Sequence, residues 1–293
     1  MSEITPPQHV AFCFNPAVNG AGALTRDLAA QTEAAGRQVW VGDLPDPSEG
    51  PADDFRHHLE QSDLLVCVGG DGTVLHASEH TSATGTPVFG VRMGRLGFLS
   101  EVTGDEAPAA LARVLEGSGR IERRSTVRAQ VNGEEPNYAL NDVVIGRASL
   151  GRTISVGARI DGVLVAEYRA DAVVIATATG STGYSLSVGG PILPPESDEI
   201  ILVPVAPHLT RANALVLPPS SEISLQVERA YEAVFTVDGL RERALDSGTI
   251  VTVQHGDRHV DFVRLGGPNQ FYANIAERLG WLRSDHVLDT PEA

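Results

Sequence analysis

Residues 63–81 read DLLVCVGGDGTVLHASEHT, and this stretch decides the fold class. Its opening part, DLLVCVGG, is a short and nearly continuous apolar run, which is typical of a strand buried on both faces of a parallel sheet. Its closing part, TVLHASEHT, predicts a short helix. A buried strand, a glycine-rich turn and a helix in this order indicate an α/β domain with a mostly parallel sheet.

The same alternation continues on both sides of this stretch. Strands are predicted for HVAFCFNP, RQVWVGDLP and TPVFGVRM, and helices that end at glycines for LTRDLAAQTEAAG and GDEAPAALARVLEGSG. The segment PSEGPADDFRH is interpreted as a polar connection. We therefore expect residues 1–125 to form an α/β nucleotide-binding domain.

The pattern changes after residue 125 to short strand-like runs separated by Gly, Pro, Asn or Asp. Asp-Gly between the alternating segments of RIDGVLV indicates a hairpin. These runs predict an all-β sandwich domain over residues 126–265. In the tail, residues 266–293, helical spacing places four apolar side chains on one face, and we expect this helix to pack back on the N-terminal domain. The four are Phe271, Ile275, Leu279 and Leu282.

Composition excludes several classes of function. The chain has 22 Lys+Arg, all of them arginine, against 38 Asp+Glu, for a net charge of −16. A basic nucleic-acid face and a Walker-type phosphate loop, which needs its Lys, are therefore excluded. No apolar run approaches the roughly 18 residues of a membrane span, and the first residues lack a signal-peptide pattern. We expect a cytoplasmic protein without nucleic-acid or membrane partners, in which Cys13 and Cys67 are inert buried thiols.

The turn GGDGT, Gly69–Thr73, is the first candidate site. Its glycines let a phosphate or a ribose approach the backbone, and the following helix start offers N–H groups to an anion. Asp71 is expected at the carboxyl end of a parallel strand, where open α/β sheets bind ligands. Taken alone, the motif suits an ordinary tight turn equally well.

Three further segments carry unusual polar residues. Two arginines, Arg92 and Arg95, lie in the glycine-marked loop after the next strand, and Asn141-Asp142 interrupt the apolar run YALNDVVIG. Residues 179–191, TGSTGYSLSVGGP, concentrate hydroxyls, glycines and one tyrosine, which suits a polar nucleotide whose ring packs on the tyrosine. Taken alone, the loop with the two arginines also fits an ordinary strand-to-helix loop, and the Asn141-Asp142 pair also fits a β-bulge or a turn.

Together, these segments resemble the NAD kinase family. The matching stretches are GGDGT (69–73), GRLGFL (94–99), ALNDVVI (139–145), TGSTGYSLSVGGPI (179–192), PHLTRANALVLP (207–218), VDG (237–239) and GWLR (280–283). Phosphofructokinases and lipid kinases of the diacylglycerol type share GGDGT, but the full set in this order is specific.

The resemblance implies that the γ-phosphoryl group of ATP is transferred to the 2′-hydroxyl of the adenosine ribose of NAD, giving NADP and ADP, with Mg²⁺ or another divalent cation. It also implies an N-terminal domain like that of phosphofructokinase and diacylglycerol kinase, a site between two domains, and a homodimer or homotetramer. The donor stays open between ATP, another nucleoside triphosphate and polyphosphate, and the acceptor between NAD and NADH.

By resemblance, Asp71 is the catalytic carboxylate. Because its reference pKa lies far below that of a sugar hydroxyl, we expect Asp71 to orient the hydroxyl, to accept its proton late and to help hold Mg²⁺. The residues implied for NAD are Asp71, Gly72, His76, Asn141, Asp142, Arg169, Asp171, Thr182, Gly183, Tyr184, Ser185, Leu186 and Ser187. Those implied for the ATP phosphates are Gly69, Gly70, Thr73 and Arg95.

The chain departs from the common family pattern at Ala170, Ala172, Ala178, Gly183 and Leu240. We expect these changes to act on substrate affinity more than on the chemistry. Three other functions are weighed: a lipid kinase of the diacylglycerol type, a non-catalytic NAD(P) sensor, and a β-sandwich interaction module. The TGSTGYS loop argues against a lipid kinase. The retained Asp71 and Asn141-Asp142 argue against a non-catalytic sensor, and the glycine-rich loops argue against an interaction module.

Overall fold

A computed structural model describes residues 4–45, 53–94, 97–149, 151–208, 213–229 and 233–281 of the 293-residue chain. Its first half alternates strands and helices: β1 (His9–Phe14), α1 (Ala21–Ala34), β2 (Gln38–Asp43), α2 (Asp53–Glu60), β3 (Leu64–Gly69), α3 (Asp71–Thr84), β4 (Val88–Arg92), β5 (Val102–Thr103) and α4 (Ala107–Leu115). The strands pair in parallel in the order β4-β3-β1-β2.

Helices cover both faces of this parallel sheet. Leu28 of α1 and Leu111 of α4 pack on one face, and Phe55 of α2 and Val74 of α3 pack on the other. The burial of every residue of β3 follows from this double cover. Both cysteines are buried and free in the strands, as predicted.

One prediction for this half is wrong. Residues 53–57 of the segment interpreted as a connection belong to α2, whose Phe55 and Leu59 are buried four residues apart on one helix face. The sequence pattern did not predict this helix because only these two of its positions are apolar. Residues 47–52 of the same segment lie outside the described residues. The helix after GGDGT is also longer than predicted, since α3 begins at Asp71 and ends at Thr84.

The regular elements of the second half are mostly strands: β6 (Arg120–Val131), β7 (Asn137–Ala139), β8 (Asp142–Arg147), β9 (Ile154–Ile160), β10 (Val163–Ala170), β11 (Ala172–Ala176), the short helix α5 (Tyr184–Ser187), β12 (Ile200–Val205), β13 (Leu215–Leu217), β14 (Ile223–Arg229), β15 (Ala233–Val237), β16 (Arg241–Leu245), β17 (Ile250–Arg264) and the terminal helix α6 (Gln270–Arg278). A 3₁₀ turn, Gly180–Thr182, precedes α5.

Two sheets of this half pack face to face. The antiparallel sheet β13-β12-β11-β8-β15-β16 lies against the run β10-β9-β14-β17 with β6. Val127, Val156, Val173 and Phe235 meet in the apolar layer between them. The prediction of an N-terminal α/β domain with a mostly parallel sheet and a C-terminal all-β domain is therefore confirmed.

Two long strands continue from one half into the other. β17 pairs with β6 along most of its length and reaches β4 in parallel at Phe262 and Val88. The sequence suggested two strands here, TIVTVQHG and HVDFVRLGG, but one strand with a register irregularity between His255 and His259 spans both. The proposed domain limit at residue 125 falls within β6 and stays a prediction.

The terminal helix α6 buries Ile275, while Phe271 and Leu279 on the same predicted face are partly exposed. Leu282 lies outside the described residues. Over the described ranges, no helix is long and apolar enough to cross a membrane.

Candidate active site

Asp71 lies at the carboxyl end of the parallel sheet, where β3 ends and α3 begins. The chain places β2 on one side of β1 and β3 on the other, so the strand order reverses between β1 and β3. Open α/β sheets bind ligands at such a point. The neighbouring Thr73 is buried, and its hydroxyl accepts the Gly70 N–H at 3.3 Å. Thr73 therefore stabilises the turn from within.

The loop of residues 97–100 encloses the Asp71 carboxylate. Its Oδ2 accepts the Phe98 N–H at 2.6 Å, and its Oδ1 accepts the Leu99 N–H and the Ser100 hydroxyl, each at 3.3 Å. Arg278 of α6 brings its Nη1 to 3.9 Å from Oδ2. The side chain is 31% exposed, so the charge is fixed in position but open to a ligand.

A polar cavity of about 640 Å³ lies beside this loop. Its lining includes Phe98 and Ser100 together with five arginines, Arg92, Arg113, Arg120, Arg124 and Arg264, and four glutamates, Glu101, Glu106, Glu122 and Glu277. Burial acts to raise the pKa of Glu122, but the charges of Arg264 and Arg124 outweigh it and lower the pKa to about 2. Glu122 is thus ionised over the whole physiological range.

Sequence reasoning named Arg92 but missed Arg124 and Arg264, which lie next to the loop that holds Asp71. Burial, with the neighbouring charge of Arg264, lowers the pKa of Arg124 to about 10, against the opposing pull of Glu122 and Asp71. Arg124 thus remains a cation close to the candidate catalytic carboxylate. The available signal was the pattern RIERRS, in which charged residues occupy alternate positions of a strand where apolar residues are expected.

The Asn141-Asp142 pair is held in place by Asp238. The Asp238 carboxylate accepts the N–H groups of Leu140 and Asn141, both at 2.8 Å, and of Asp142 at 3.0 Å. On the other side, Thr177 donates its hydroxyl to the Leu140 carbonyl. These bonds explain why the predicted single run YALNDVVIG is split into β7 and β8 at this pair.

The carboxylates of Asp142 and Asp238 interact electrostatically at this point. Burial and the negative charge of Asp238 raise the pKa of Asp142 to about 7. Burial also raises the pKa of Asp238 to about 6, although its three N–H donors act to lower it. A buried acid poised near neutral pH is a common feature of functional sites.

The loop after β11 brings Tyr184 to the same region. Burial and the negative charges of Asp171 and Asp142 raise the pKa of its phenol, and the ring remains 42% exposed. Arg147 of β8 holds Asp171 through a hydrogen bond from its Nη2 at 3.1 Å and an ion-pair contact of its Nε at 2.9 Å. An exposed ring among polar groups suits a stacked base.

The other residues of the predicted loop differ in exposure. Ser185 is buried, Thr182 donates to the Thr179 carbonyl at 3.0 Å, and Gly183 and Leu186 are partly exposed. Ser187 is exposed at the end of α5. A ligand can therefore reach the exposed residues of this loop, but not the buried Ser185 hydroxyl.

Two predicted site residues, Arg169 and His76, make contacts elsewhere. Arg169 donates its Nε to Thr153 at 3.3 Å on the exposed edge of the large sheet. His76 is buried on α3 with its ring 5.8 Å from that of His80. Arg95 lies outside the described residues.

Comparison with known proteins decides the family. Residues 24–119 match the ATP-NAD kinase N-terminal domain, and residues 140–265 match the ATP-NAD kinase C-terminal domain.

The chain belongs to the NAD kinase family.

Relatives of the same family extend over most of the chain. It is 36% identical over 279 residues to the NAD kinase of Chloroflexus aurantiacus, covering 93% of this chain and 98% of that one. It is 39% identical over 234 residues to the NAD kinase of Heliobacterium modesticaldum, covering 78% and 82%. The predicted family and the prediction of an ATP-dependent NAD kinase, a phosphotransferase, are confirmed.

Solved structures of NAD kinases share the fold. The yeast NADH kinase, crystallised with NADH, has a TM-score of 0.83 and 25% identity, covering 98% of this chain and 91% of that chain. An NAD kinase from Archaeoglobus fulgidus, in complex with ATP, has a TM-score of 0.76 and 23% identity, covering 94% and 100%. The second similarity concerns the fold alone.

Proposed function

We propose that this NAD kinase transfers the γ-phosphoryl group of ATP to the 2′-hydroxyl of the adenosine ribose of NAD, with Asp71 as the catalytic carboxylate. The observation that carries the proposal is the fixed Asp71 carboxylate, held by Phe98, Leu99 and Ser100 at the carboxyl end of β3. This carboxylate is fixed in position, is negatively charged and is exposed to a ligand on one side.

The 2′-hydroxyl donates a hydrogen bond to Asp71 in this mechanism. As the bond from the γ-phosphorus to ADP breaks, the ribose oxygen bonds to phosphorus and its proton passes to the carboxylate. Phosphoryl transfer has a loose transition state, so most of the catalysis comes from positioning. The three hydrogen bonds to Asp71 hold the carboxylate where the hydroxyl proton leaves, which agrees with a role in positioning.

We propose that the rest of NAD lies along the polar residues at the end of β7 and in the loop after β11. Asn141 and Asp142, fixed by Asp238, are proposed to bind the adenosine part, and Tyr184 to pack against a ring. Asp171, held by Arg147, is proposed to contact the nicotinamide half. The predicted contacts of His76, Arg169, Gly72 and residues 182–187 with NAD stay proposals.

The ATP phosphates are proposed to meet the start of α3 beside Gly69 and Gly70, where the helix dipole favours an anion. Since the Thr73 hydroxyl is used inside the turn, its contribution there is mainly structural. Among the described residues, no three His, Cys, Asp or Glu side chains cluster in a way that could hold a metal ion. Asp71 is the protein carboxylate that would hold Mg²⁺ together with the substrate phosphates, and the ion would neutralise phosphate charge there.

We also propose a homo-oligomer that acts in the cytoplasm. The edge strand β10 carries three consecutive exposed apolar residues, Val163, Leu164 and Val165, with exposed fractions of 64%, 45% and 44%. An exposed apolar edge strand is a surface that a second copy can cover.

The test is turnover of purified protein with NAD, Mg²⁺ and either ATP or polyphosphate, with NADP as the product detected. We expect Asp71→Asn to lower kcat by about 100-fold or more while the Kd for NAD by calorimetry stays within about threefold. Asp53→Asn, at the exposed start of α2, is the matched control. Turnover of Asp71→Asn near that of the wild type would refute the role of Asp71.

A further inference from the structure

We infer that Arg124 and Arg264 are positioning residues that act on Asp71 through the backbone of residues 98–100. The inference rests on the proposed role of Asp71. Asp71 contacts one side of this loop through the N–H groups of Phe98 and Leu99. The two arginines hold the carbonyl side of the same loop.

The arginine contacts and the Asp71 contacts involve the same short stretch of backbone. Arg124 donates its Nη2 to the Phe98 carbonyl at 3.3 Å, and this carbonyl shares a rigid planar peptide group with the Leu99 N–H that binds Asp71. Arg264 donates its Nη1 to the Leu99 carbonyl at 2.9 Å, in the peptide group that leads into Ser100. A rotation of the first peptide group therefore moves the Leu99 N–H, and a displacement of the second shifts Ser100, whose hydroxyl is the third donor to Asp71.

Both guanidinium groups are themselves fixed. Glu122 Oε1 accepts from Arg124 at 2.7 and 3.0 Å and from Arg264 at 3.0 Å. The two groups lie over the Phe262 ring at 5.0 and 4.9 Å. All three charged side chains are at most 7% exposed, so they have little freedom to rearrange. The network thus connects the long strands β6 and β17 to the catalytic carboxylate.

Arg120 provides an internal comparison. It lies on the same face of β6, is equally buried, and donates to the other oxygen of Glu122 at 2.9 Å. Its Nε bonds to the Gly266 carbonyl at 3.1 Å rather than to the loop. Replacing Arg120 therefore removes a buried partner of Glu122 without removing a hydrogen bond to residues 98–100.

The experiment compares Arg264→Gln and Arg124→Gln with Arg120→Gln in the full chain. We expect each of the first two to lower kcat by about tenfold or more with KM for NAD and for ATP within about twofold, because Asp71 is misplaced rather than lost. Arg120→Gln is expected to reduce the melting temperature to a similar extent but to keep kcat within about twofold. Arg264→Lys, which retains the charge beside Glu122, guards against a variant that does not fold and should recover part of kcat.

A double-mutant cycle separates positioning from general damage. Adding Arg264→Gln to Asp71→Asn should leave the residual rate unchanged, because the group being positioned is already missing. An equal loss of kcat in Arg120→Gln, an additive loss in the double variant, or a rise in KM for ATP alone would overturn the inference. If Asp71→Asn is itself active, the proposed function fails; if only the arginine variants are fully active, the positioning inference alone fails.

Discussion

The backbone at Gly97 lies directly against Asp71: a Cβ added to Gly97 would stand 1.8 Å from Asp71 Oδ1. No side chain can occupy this position without moving the carboxylate or lifting the loop. The approach allows the next residues, Phe98 and Leu99, to donate their N–H groups to Asp71.

Gly97→Ala is therefore expected to lower kcat by about tenfold or more, because displacements near 1 Å in reacting groups carry losses of this order. Steady-state kinetics with NAD and ATP measure the effect. Gly267→Ala is the control, since a Cβ there meets nothing within 4 Å. Unchanged kcat in Gly97→Ala would show that the contact between the loop and Asp71 has no part in turnover.

A second close approach ties the 179–187 loop to the Asn141-Asp142 pair. A Cβ on Gly180 would lie 2.0 Å from the Asn141 carbonyl oxygen, whereas one on Gly183 comes no closer than 3.3 Å to the Gly180 carbonyl oxygen. We expect Gly180→Ala to raise KM for NAD by about tenfold, in the range of one lost polar contact. Gly183→Ala, which introduces the residue common in the family, should keep KM within about twofold. Equal effects of the two substitutions would contradict this distinction.

The buried acid Asp142 predicts a pH dependence of stability. Its pKa rises to about 7 in the folded protein, from about 3.9 in the unfolded chain. The folded state thus binds this proton more tightly, so the stabilisation is complete below pH 4 and is lost as the pH rises through 7.

Asp142→Asn removes the charge, and we expect it to raise the melting temperature more at pH 8 than at pH 5. A relative gain of about 1 kcal/mol corresponds to roughly 2–4 °C for a chain of this size class. Thermal unfolding at the two pH values measures it, with the exposed Asp105→Asn as control. A gain that is the same at both pH values would mean that Asp142 does not titrate in this range.

Local patterns in the sequence were sufficient for much of the fold and for the position of Asp71 between a strand and a helix. The apolar run before GGDGT and the glycines within it determine a buried strand, a turn and a helix start through neighbouring residues. The same is true of the hairpin at Asp161-Gly162, where both residues have positive φ. Such features need no knowledge of distant parts of the chain.

The network around Asp71 could not be predicted in this way. Arg264 contacts Leu99, 165 positions away, and Arg278 reaches Asp71 only because α6 returns to the N-terminal half. Asp238 was matched as part of a motif, but its three hydrogen bonds to residues 140–142 depend on the pairing of β15 with β8. These contacts follow from tertiary packing, which neither spacing nor periodicity encodes.

The edge strand β10 provides a test of the proposed oligomer. Val165 is 44% exposed on this edge, next to Leu164, and Val216 is 46% exposed on β13, at the edge of the other sheet. If copies of the chain meet along β10, a charge at Val165 is buried without a partner and weakens the contact. Light scattering after gel filtration should then give a smaller mass for Val165→Asp than for the wild type, while Val216→Asp keeps the wild-type mass. A lower mass for Val216→Asp alone would move the contact to the six-stranded sheet, and a monomeric wild type would end the proposal.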